Sequence, residues 1–549
     1  MLFSARIGAA LIFVGATSAS ILPRAPDPTV QLDSGTFTGR KLGRTDRFLG
    51  IPFAKPPTGD LRFRRPVSVD SYEARSYDAS AYGPACPQHD FHGAVLESGL
   101  VDNVVSNVIN TFWAVFTPDN EDCLSLNVIK PSNVPSGTKL PVVVWIYGGG
   151  FQIGGTATYD GTVIVERSIQ LNEPVVYVSM NYRLGAFGFL ASQEVKDAKV
   201  GNLGLYDQRE ALHWVQKYIG AFGGDPAKVT IWGESAGSFS VGLQMLANGG
   251  DPQGLFRAGF MQSGTIIPVG DITHGQKYYD AIVEDTGCAG ESDTLQCLRA
   301  LPYDILKSAA DQTPSILGYE SLAAAWAPRV DSEFITDVPH ALVKQGKIAS
   351  VPFVAGNTDD EGTLFAFASR NVTTTAEFKG YIKSVLLPDI SGADLDTIAT
   401  LYPADITRGS PYDTGILNAL TPQFKRIASL LGDAVLTGPR RFLLNEVSAK
   451  QNSWSFLSKR FKATPFFGSF HATDLFQVYG AGELQDYVIN FVNNLDPNGQ
   501  HLRAWPKYST SSRQQMTFLD SIIPTSVTVD NYRVAQIDFV VDVLSRHPL

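Results

Sequence analysis

Val229-Thr230-Ile231-Trp232-Gly233-Glu234-Ser235-Ala236-Gly237 is the stretch that decides how this chain folds. Residues 229–232 are β-formers, as in a strand buried on both faces, and the run passes with no polar linker into Gly-x-Ser-x-Gly. Residues 238–246 can continue as a helix. A strand driven straight into such a turn strains the serine backbone, leaves no room for side chains two positions to either side, and lifts the hydroxyl above the sheet. The pentapeptide alone recurs by chance, and a glycine-flanked structural turn is the rival reading. With a strand before it and a helix after it, Ser235 is expected to be a nucleophile.

Working outward, residues 142–147, 175–180 and 352–355 are further apolar, β-rich runs that end abruptly in glycine or polar turns. Between them lie helix-like stretches such as 205–222, where Leu212, Val215 and Ile219 recur at helical spacing. Alternating strand and helix predicts an α/β fold, a large central and mostly parallel sheet flanked by helices, with chemistry at the carboxyl ends of the strands. Residues 141–147 empty into Gly148-Gly149-Gly150-Phe151, which suits a loop whose backbone N–H groups, with that of Ala236, stabilise an oxyanion. A dinucleotide-binding loop is the competitor, but Ile153 stands where its third glycine belongs.

A serine nucleophile needs a base, and histidine is the side chain poised for that work near neutral pH. The chain has 8 histidines. Chain order in this fold is serine, acid, histidine, which removes His89, His92 and His213 and leaves His274, His340, His471, His501 and His547. An acid near residue 360 reduces these to the last three. His547 lies in the final residues and His501 in a polar loop, so His471, in a glycine-bearing turn, is favoured. The acid lies among Asp359, Asp360 and Glu361, just past the strand at 352–355. The residues alone leave that choice open, the other two being expected as solvated loop charges or helix N-terminal residues.

No repeat, low-complexity tract or linker divides the 549 residues, so a single domain over 21–549 is expected. A composition of 44% hydrophobic and 18% charged residues is that of a globular enzyme, and a net charge of -10 without any basic run excludes nucleic acid as partner. Residues 1–20 read as a signal peptide, with Arg6 before the apolar run 7–16 and small residues Ala16, Ser18, Ala19 and Ser20 after it. That run is too short to span a bilayer, and no transmembrane segment is expected. In an oxidising compartment the 4 cysteines default to two disulfides, and proximity favours Cys86 with Cys123 and Cys288 with Cys297. No spacing supports a metal site, and no cofactor is needed. Asn371, in Asn371-Val372-Thr373, is a glycosylation acceptor in a secreted chain.

Together, Asn120-Glu121-Asp122-Cys123-Leu124-Ser125-Leu126-Asn127, the Tyr147 to Phe151 loop, Asn181-Tyr182-Arg183, Phe222-Gly223-Gly224-Asp225-Pro226 and the serine pentapeptide resemble the type-B carboxylesterase/lipase family, which includes the cholinesterases. The likeness is strongest to the fungal lipases and sterol esterases of the Candida rugosa and Geotrichum type. It covers nearly the whole chain. The resemblance implies the α/β-hydrolase fold, Glu361 as acid, His471 as base, oxyanion donors at Gly149, Gly150 and Ala236, and the disulfide pairing above. It also implies a place for Ser263 beside the triad. Tyr147 departs from the family pattern, which often has another aromatic or a histidine there.

The segment of about 87–122, closed by Cys86 and Cys123, is where lipases of this group carry a lid. Val101, Val104, Val105, Val108, Ile109, Phe112, Val115 and Phe116 fall on one helical face, and Asp102, Asn103, Ser106, Asn107 and Asn110 on the other. Residues 103–118 hold no charge, so bringing this helix to an oily interface costs little desolvation. The expected function is hydrolysis of lipid carboxylic esters, triacylglycerols or sterol esters, through an acyl-enzyme. A carboxylesterase for small soluble esters is the alternative, and a non-catalytic adhesion module of the cholinesterase-like kind is disfavoured by the intact triad. The expected partners are the ester substrate, a lipid–water interface met through the lid, and a second copy through the same apolar face.

Overall fold

The computed structural model describes residues 26–90, 118–135 and 137–549. The signal segment 1–20 and the amphipathic stretch 101–116 read above lie outside the described residues.

In chain order the strands are β1 (Thr29–Leu32), β2 (Gly35–Thr38), β3 (Arg40–Leu42), β4 (Thr45–Pro52), β5 (Ser76–Asp78), β6 (Ser125–Pro131) and β7 (Leu140–Ile146). There follow β8 (Val176–Met180), β9 (Gly224–Glu234), β10 (Ala258–Gln262), β11 (Phe353–Thr358), β12 (Ser453–Lys459), β13 (Gln514–Leu519) and β14 (Thr525–Val529). Among the described residues, β1, β2 and β5 make a small sheet. The other 11 strands make one large sheet in the order β14-β13-β12-β11-β10-β9-β7-β8-β6-β4-β3. From β8 through β13 every neighbouring pair is parallel, and antiparallel pairs close both edges. The four runs singled out in the sequence are β7, β8, β9 and β11, all in the parallel interior. Helices on both faces hide their side chains, which is why these strands are continuous apolar runs and not alternating ones.

Packing at the centre is aromatic. Trp145 of β7 and Trp232 of β9 are register partners, and their rings meet edge to face at 4.4 Å. The helical run expected over 205–222 is the α-helix Leu203–Tyr218 followed by the tighter turn Ile219–Phe222, stopped by Gly223 at φ 83°. The run expected after the serine lies inside helix Ala236–Gly250, which leaves helical geometry at Ala247.

Two buried ion pairs fasten the loops around this core. Arg62 grips Glu121 at 2.6 Å through both Nε and Nη2, beside Cys123. Arg183, just after β8, is bidentate to Asp207 at 2.8 and 2.6 Å, and its own N–H also donates to that carboxylate. Cys86 is bonded to Cys123 across 37 residues and Cys288 to Cys297 across 9. By chain-entropy arguments the longer crosslink stabilises the fold by about 3–4 kcal/mol. Removing one partner of a buried pair strands the other charge, so Asp207→Ala is expected to lower unfolding stability by about 3–5 kcal/mol in urea titrations.

Candidate active site

Ser235 sits between β9 and helix Ala236–Gly250 at φ 55°, ψ -125°, a backbone conformation that L residues rarely adopt. The neighbouring glycines make the turn possible. A Cβ on Gly237 would lie 1.9 Å from the carbonyl oxygen of Ile146, and one on Gly233 would lie 2.4 Å from the backbone of Gly237. Gly148 is required for the same reason: its Cβ would meet Glu234 at 2.7 Å and the Ser235 Cβ at 2.8 Å. Close packing of strand, turn and loop therefore brings the serine hydroxyl up against the glycine-rich loop after β7.

Two strands away, β11 and β12 end side by side, and each delivers one polar side chain. Nε2 of His471 lies 2.7 Å from Ser235 Oγ, and Nδ1 lies 2.7 Å from Glu361 Oε2. The other carboxylate oxygen, Glu361 Oε1, accepts from the Thr358 N–H at 2.8 Å and from Asn357 Nδ2 at 3.0 Å. Asn357 is itself oriented by buried Arg440, whose Nε donates to Asn357 Oδ1 at 2.6 Å. Burial alone would raise the Glu361 carboxyl. The charge and hydrogen bond of His471, together with Asn357, outweigh it and hold the group below the usual carboxylate range. His501 and His547, the other histidines compatible with chain order, line surface clefts that contain none of these three residues.

Asp359 and Asp360 are not the solvated charges expected from sequence. Both are buried, because Lys462 reaches in to pair with them at 2.5 and 2.7 Å. Asp360 also accepts from the N–H of Ser469 at 2.8 Å and of Tyr412 at 2.8 Å, and its own N–H donates to Ser469 O at 3.0 Å. A Cβ on Gly468 would sit 2.2 Å from Asp360 Oδ2, which is why a glycine precedes the histidine turn. The Glu361 loop and the His471 loop are thus clasped to each other by Asp360. Sequence offered no signal for Lys462, which is distant along the chain.

Gly149, Gly150, Ser235 and His471 line one cavity, and Gly150, Ser235, Ala236 and His471 line its continuation among Phe239, Ile267, Leu322 and Phe365. Gly149 and Gly150 adopt φ 112° and 62°, and a Cβ on either would collide, with Ile153 O at 2.2 Å or with Ile316 at 2.6 Å. Tyr147, the residue unlike the family pattern, stacks on Tyr182 at 4.5 Å and accepts the Tyr182 hydroxyl on its carbonyl. Ser263 is buried at φ 55° just after β10. Asn371 is exposed at a turn.

One carboxyl in this site went unremarked in the sequence. Glu234 is fully enclosed, its Oε1 lies 3.5 Å from His471 Nε2, and that oxygen has no hydrogen-bond partner. Burial pushes its carboxyl up to about 8, with the charges of Asp474 and Glu361 adding to the rise against the pull of His471. Asp474 accepts from Gln262 Nε2 at 2.8 Å and is likewise raised by burial, to about 6. Burial works against the His471 charge. The hydrogen bond to Glu361 and the charges of Glu361, Glu234 and Asp474 reverse that and raise it to about 9.

Comparison with known proteins gives consistent relatives. Residues 26–539 match the model of a family described as the carboxylesterase family. Lipase 4 of Diutina rugosa is 43% identical over 94% of this chain and 96% of its own length. A secreted triacylglycerol lipase of Gibberella zeae is 40% identical over 96% of this chain and 92% of its own. Lipase 1 of Geotrichum candidum is 38% identical over 93% and 94%. The crystal structure of EstA from Aspergillus niger superposes with a TM-score of 0.79 at 27% identity, over 95% of this chain and 99% of that one.

An imidazole can take the serine proton only when neutral, so kcat/KM on a soluble ester is expected to climb as pH rises and to level off above about 9. Stability runs the opposite way. The folded value lies above the ordinary 6.5, so the contribution of the charged pair is complete below about 6.5 and is lost as pH passes about 9. Glu234→Gln removes one of the raising charges and should move the inflection of the pH–rate profile to lower pH. An unmoved inflection would mean that Glu234 does not act on the imidazole.

Proposed function

We infer what this chain does from one premise: it belongs to the carboxylesterase family. It is a carboxylic ester hydrolase of the α/β-hydrolase fold, and its substrates are lipid esters, as the descriptions of its lipase relatives indicate. The finer reading assigns Ser235 as nucleophile, His471 as general base and Glu361 as the acid that orients it. The observation that carries this assignment is the unbroken chain of two 2.7 Å contacts from hydroxyl to imidazole to carboxylate, ending beside the glycine loop.

In this reading Ser235 Oγ attacks the acyl carbon while His471 Nε2 takes its proton. Glu361 holds Nδ1–H and stabilises the imidazolium that forms. Negative charge collects on the carbonyl oxygen, where the amides of Gly149, Gly150 and Ala236 are the proposed donors. Ala236 opens a helix, whose N-terminal end adds a favourable field. The imidazolium then gives its proton to the leaving alcohol, and the C–O bond breaks to leave an acyl-serine. Water repeats the sequence, His471 taking its proton and returning it to Ser235 Oγ as the fatty acid departs. No metal or organic cofactor enters any step.

Secretion is proposed from the leader-like residues 1–20, and is supported by a relative described as secreted. Among the described residues no helix is long and apolar enough to cross a membrane. The disulfide-closed segment of about 87–122 is proposed as a lid that turns to lipid an amphipathic helix free of charge over 103–118, and a homodimer through the same face is part of that proposal. A glycan at Asn371 completes it.

Ser235→Ala is expected to reduce kcat on the order of a millionfold, by analogy with other serine hydrolases, and retention of even a tenth of wild-type activity would remove Ser235 from its role. Rates on tributyrin and triolein emulsions are expected to rise sharply once substrate passes its solubility limit. A proportional rise with no break, together with preference for short soluble esters, would favour the small-ester carboxylesterase instead.

A further inference from the structure

Two glutamines fasten the loop that carries Gly149 and Gly150. Gln88 stands two residues beyond Cys86, and its amide grips the main chain of Gly154 at both ends. Oε1 accepts from the Gly154 N–H at 2.6 Å, and Nε2 donates to Gly154 O at 2.9 Å and to Cys86 O at 2.6 Å. The next residue adds a main-chain bond, His89 N–H to Gln152 O at 2.8 Å. Gln152 is wholly buried, and its Oε1 accepts from the Ile316 N–H at 2.8 Å while Nε2 donates to Pro314 O at 3.4 Å. Within the loop, the N–H groups of Gln152 and Ile153 both donate to Gly149 O at 3.1 Å.

That last pair fixes a direction. The peptide joining Gly149 to Gly150 is planar and trans, so its C=O and N–H point to opposite sides. Pinning the Gly149 oxygen into the loop therefore turns the Gly150 N–H outward, toward the cavity that Gly150 shares with Ser235. The pin itself depends on residues 152–154 holding still. The loop has little side-chain substance of its own with which to do so, since Gly149, Gly150 and Gly154 all adopt left-handed φ and fit only as glycine.

We propose that Gln88 is a positioning residue for the oxyanion: by clamping Gly154 it keeps Gly149 O pinned and the Gly150 N–H aimed, and the Cys86–Cys123 disulfide anchors the stem from which it reaches. The proposal rests on the reading of the 148–154 loop as the oxyanion pocket. Gln88 touches no reacting atom and acts only through the loop.

The test uses the full-length enzyme in three forms, wild type, Gln88→Ala and the near-isosteric Gln88→Glu, which keeps an acceptor for Gly154 N–H but sets a carboxylate oxygen against two carbonyls. The measurements are kcat and KM on p-nitrophenyl butyrate below its solubility limit, and Ki for an aryl trifluoromethyl ketone, which adds the serine and places a negative oxygen in the pocket. Both variants are expected to lose kcat by about 10- to 100-fold, less than the 10²–10³ typical of deleting a donor outright, with KM changed less than about threefold. Ki should rise by the same factor as kcat falls, a proportionality that general loosening of the fold does not produce. A kcat within twofold of wild type, or a fall in kcat with Ki unchanged, overturns the clamp while leaving the triad in place. Failure of the wild-type enzyme to bind the ketone overturns the oxyanion reading beneath it.

Discussion

The site depends on a steric condition at one peptide corner: strand β9 can hand over to its helix through Ser235 only because three residues nearby have no Cβ. Gly233, Gly237 and Gly148 each occupy a place where an added carbon would fall inside the van der Waals radius of a backbone atom or of Ser235 itself. The left-handed φ of the serine is costly in isolation and is held by packing around it. Everything the site then needs is a matter of bringing other groups to that fixed point, and the parallel sheet does so by ending β7, β9, β11 and β12 on one side.

Around the corner, charge is handled in two ways. Most of the buried acids are paired or donated to from several directions: Glu361 by His471 and Asn357, Asp207 by Arg183, Glu121 by Arg62, Asp360 by Lys462 and two amides. Glu234 differs. It faces the imidazole without a hydrogen bond of its own on Oε1, in surroundings that favour its neutral form. The charges of Glu361 and Asp474 around His471 make the imidazolium easier to form, and Glu234 adds its own only as pH passes about 8, which in the proposed mechanism suits the moment when the serine proton arrives.

Much of this was legible in the sequence, for definite reasons. Residues 229–237 encode both the strand and the turn, since buried parallel strands and elbow glycines are local patterns. Chain order and loop context singled out His471 without help. Physics could not choose among Asp359, Asp360 and Glu361, because which carboxylate turns inward is settled by Lys462 and Asn357, partners that no local pattern reveals. The resemblance to the type-B carboxylesterases supplied that choice. The same long-range ion pairing explains why two acids expected in solvent are buried. Glu234 is the variable residue of the pentapeptide, so no pattern marks it, although its place beside a buried serine implies an enclosed carboxyl. Motifs such as Asn120 to Asn127 and Asn181 to Arg183 marked the family, but in the fold they are fasteners: Glu121 to Arg62, Asn127 to the Gly50 N–H, and Arg183 to Asp207.

The sheet order carries a mechanical implication. Glu361 and His471 follow adjacent strands, β11 and β12, and their loops are stitched together through Asp360, whereas Ser235 follows β9, with β10 lying between. The Glu361 and His471 loops are therefore tied directly to each other, while Ser235 meets His471 from across an intervening strand. On the proposed assignment, a slip of β9 against β11 would lengthen the contact between hydroxyl and imidazole while sparing the one between imidazole and carboxylate, so the relay has one joint that crosses the sheet and one that does not.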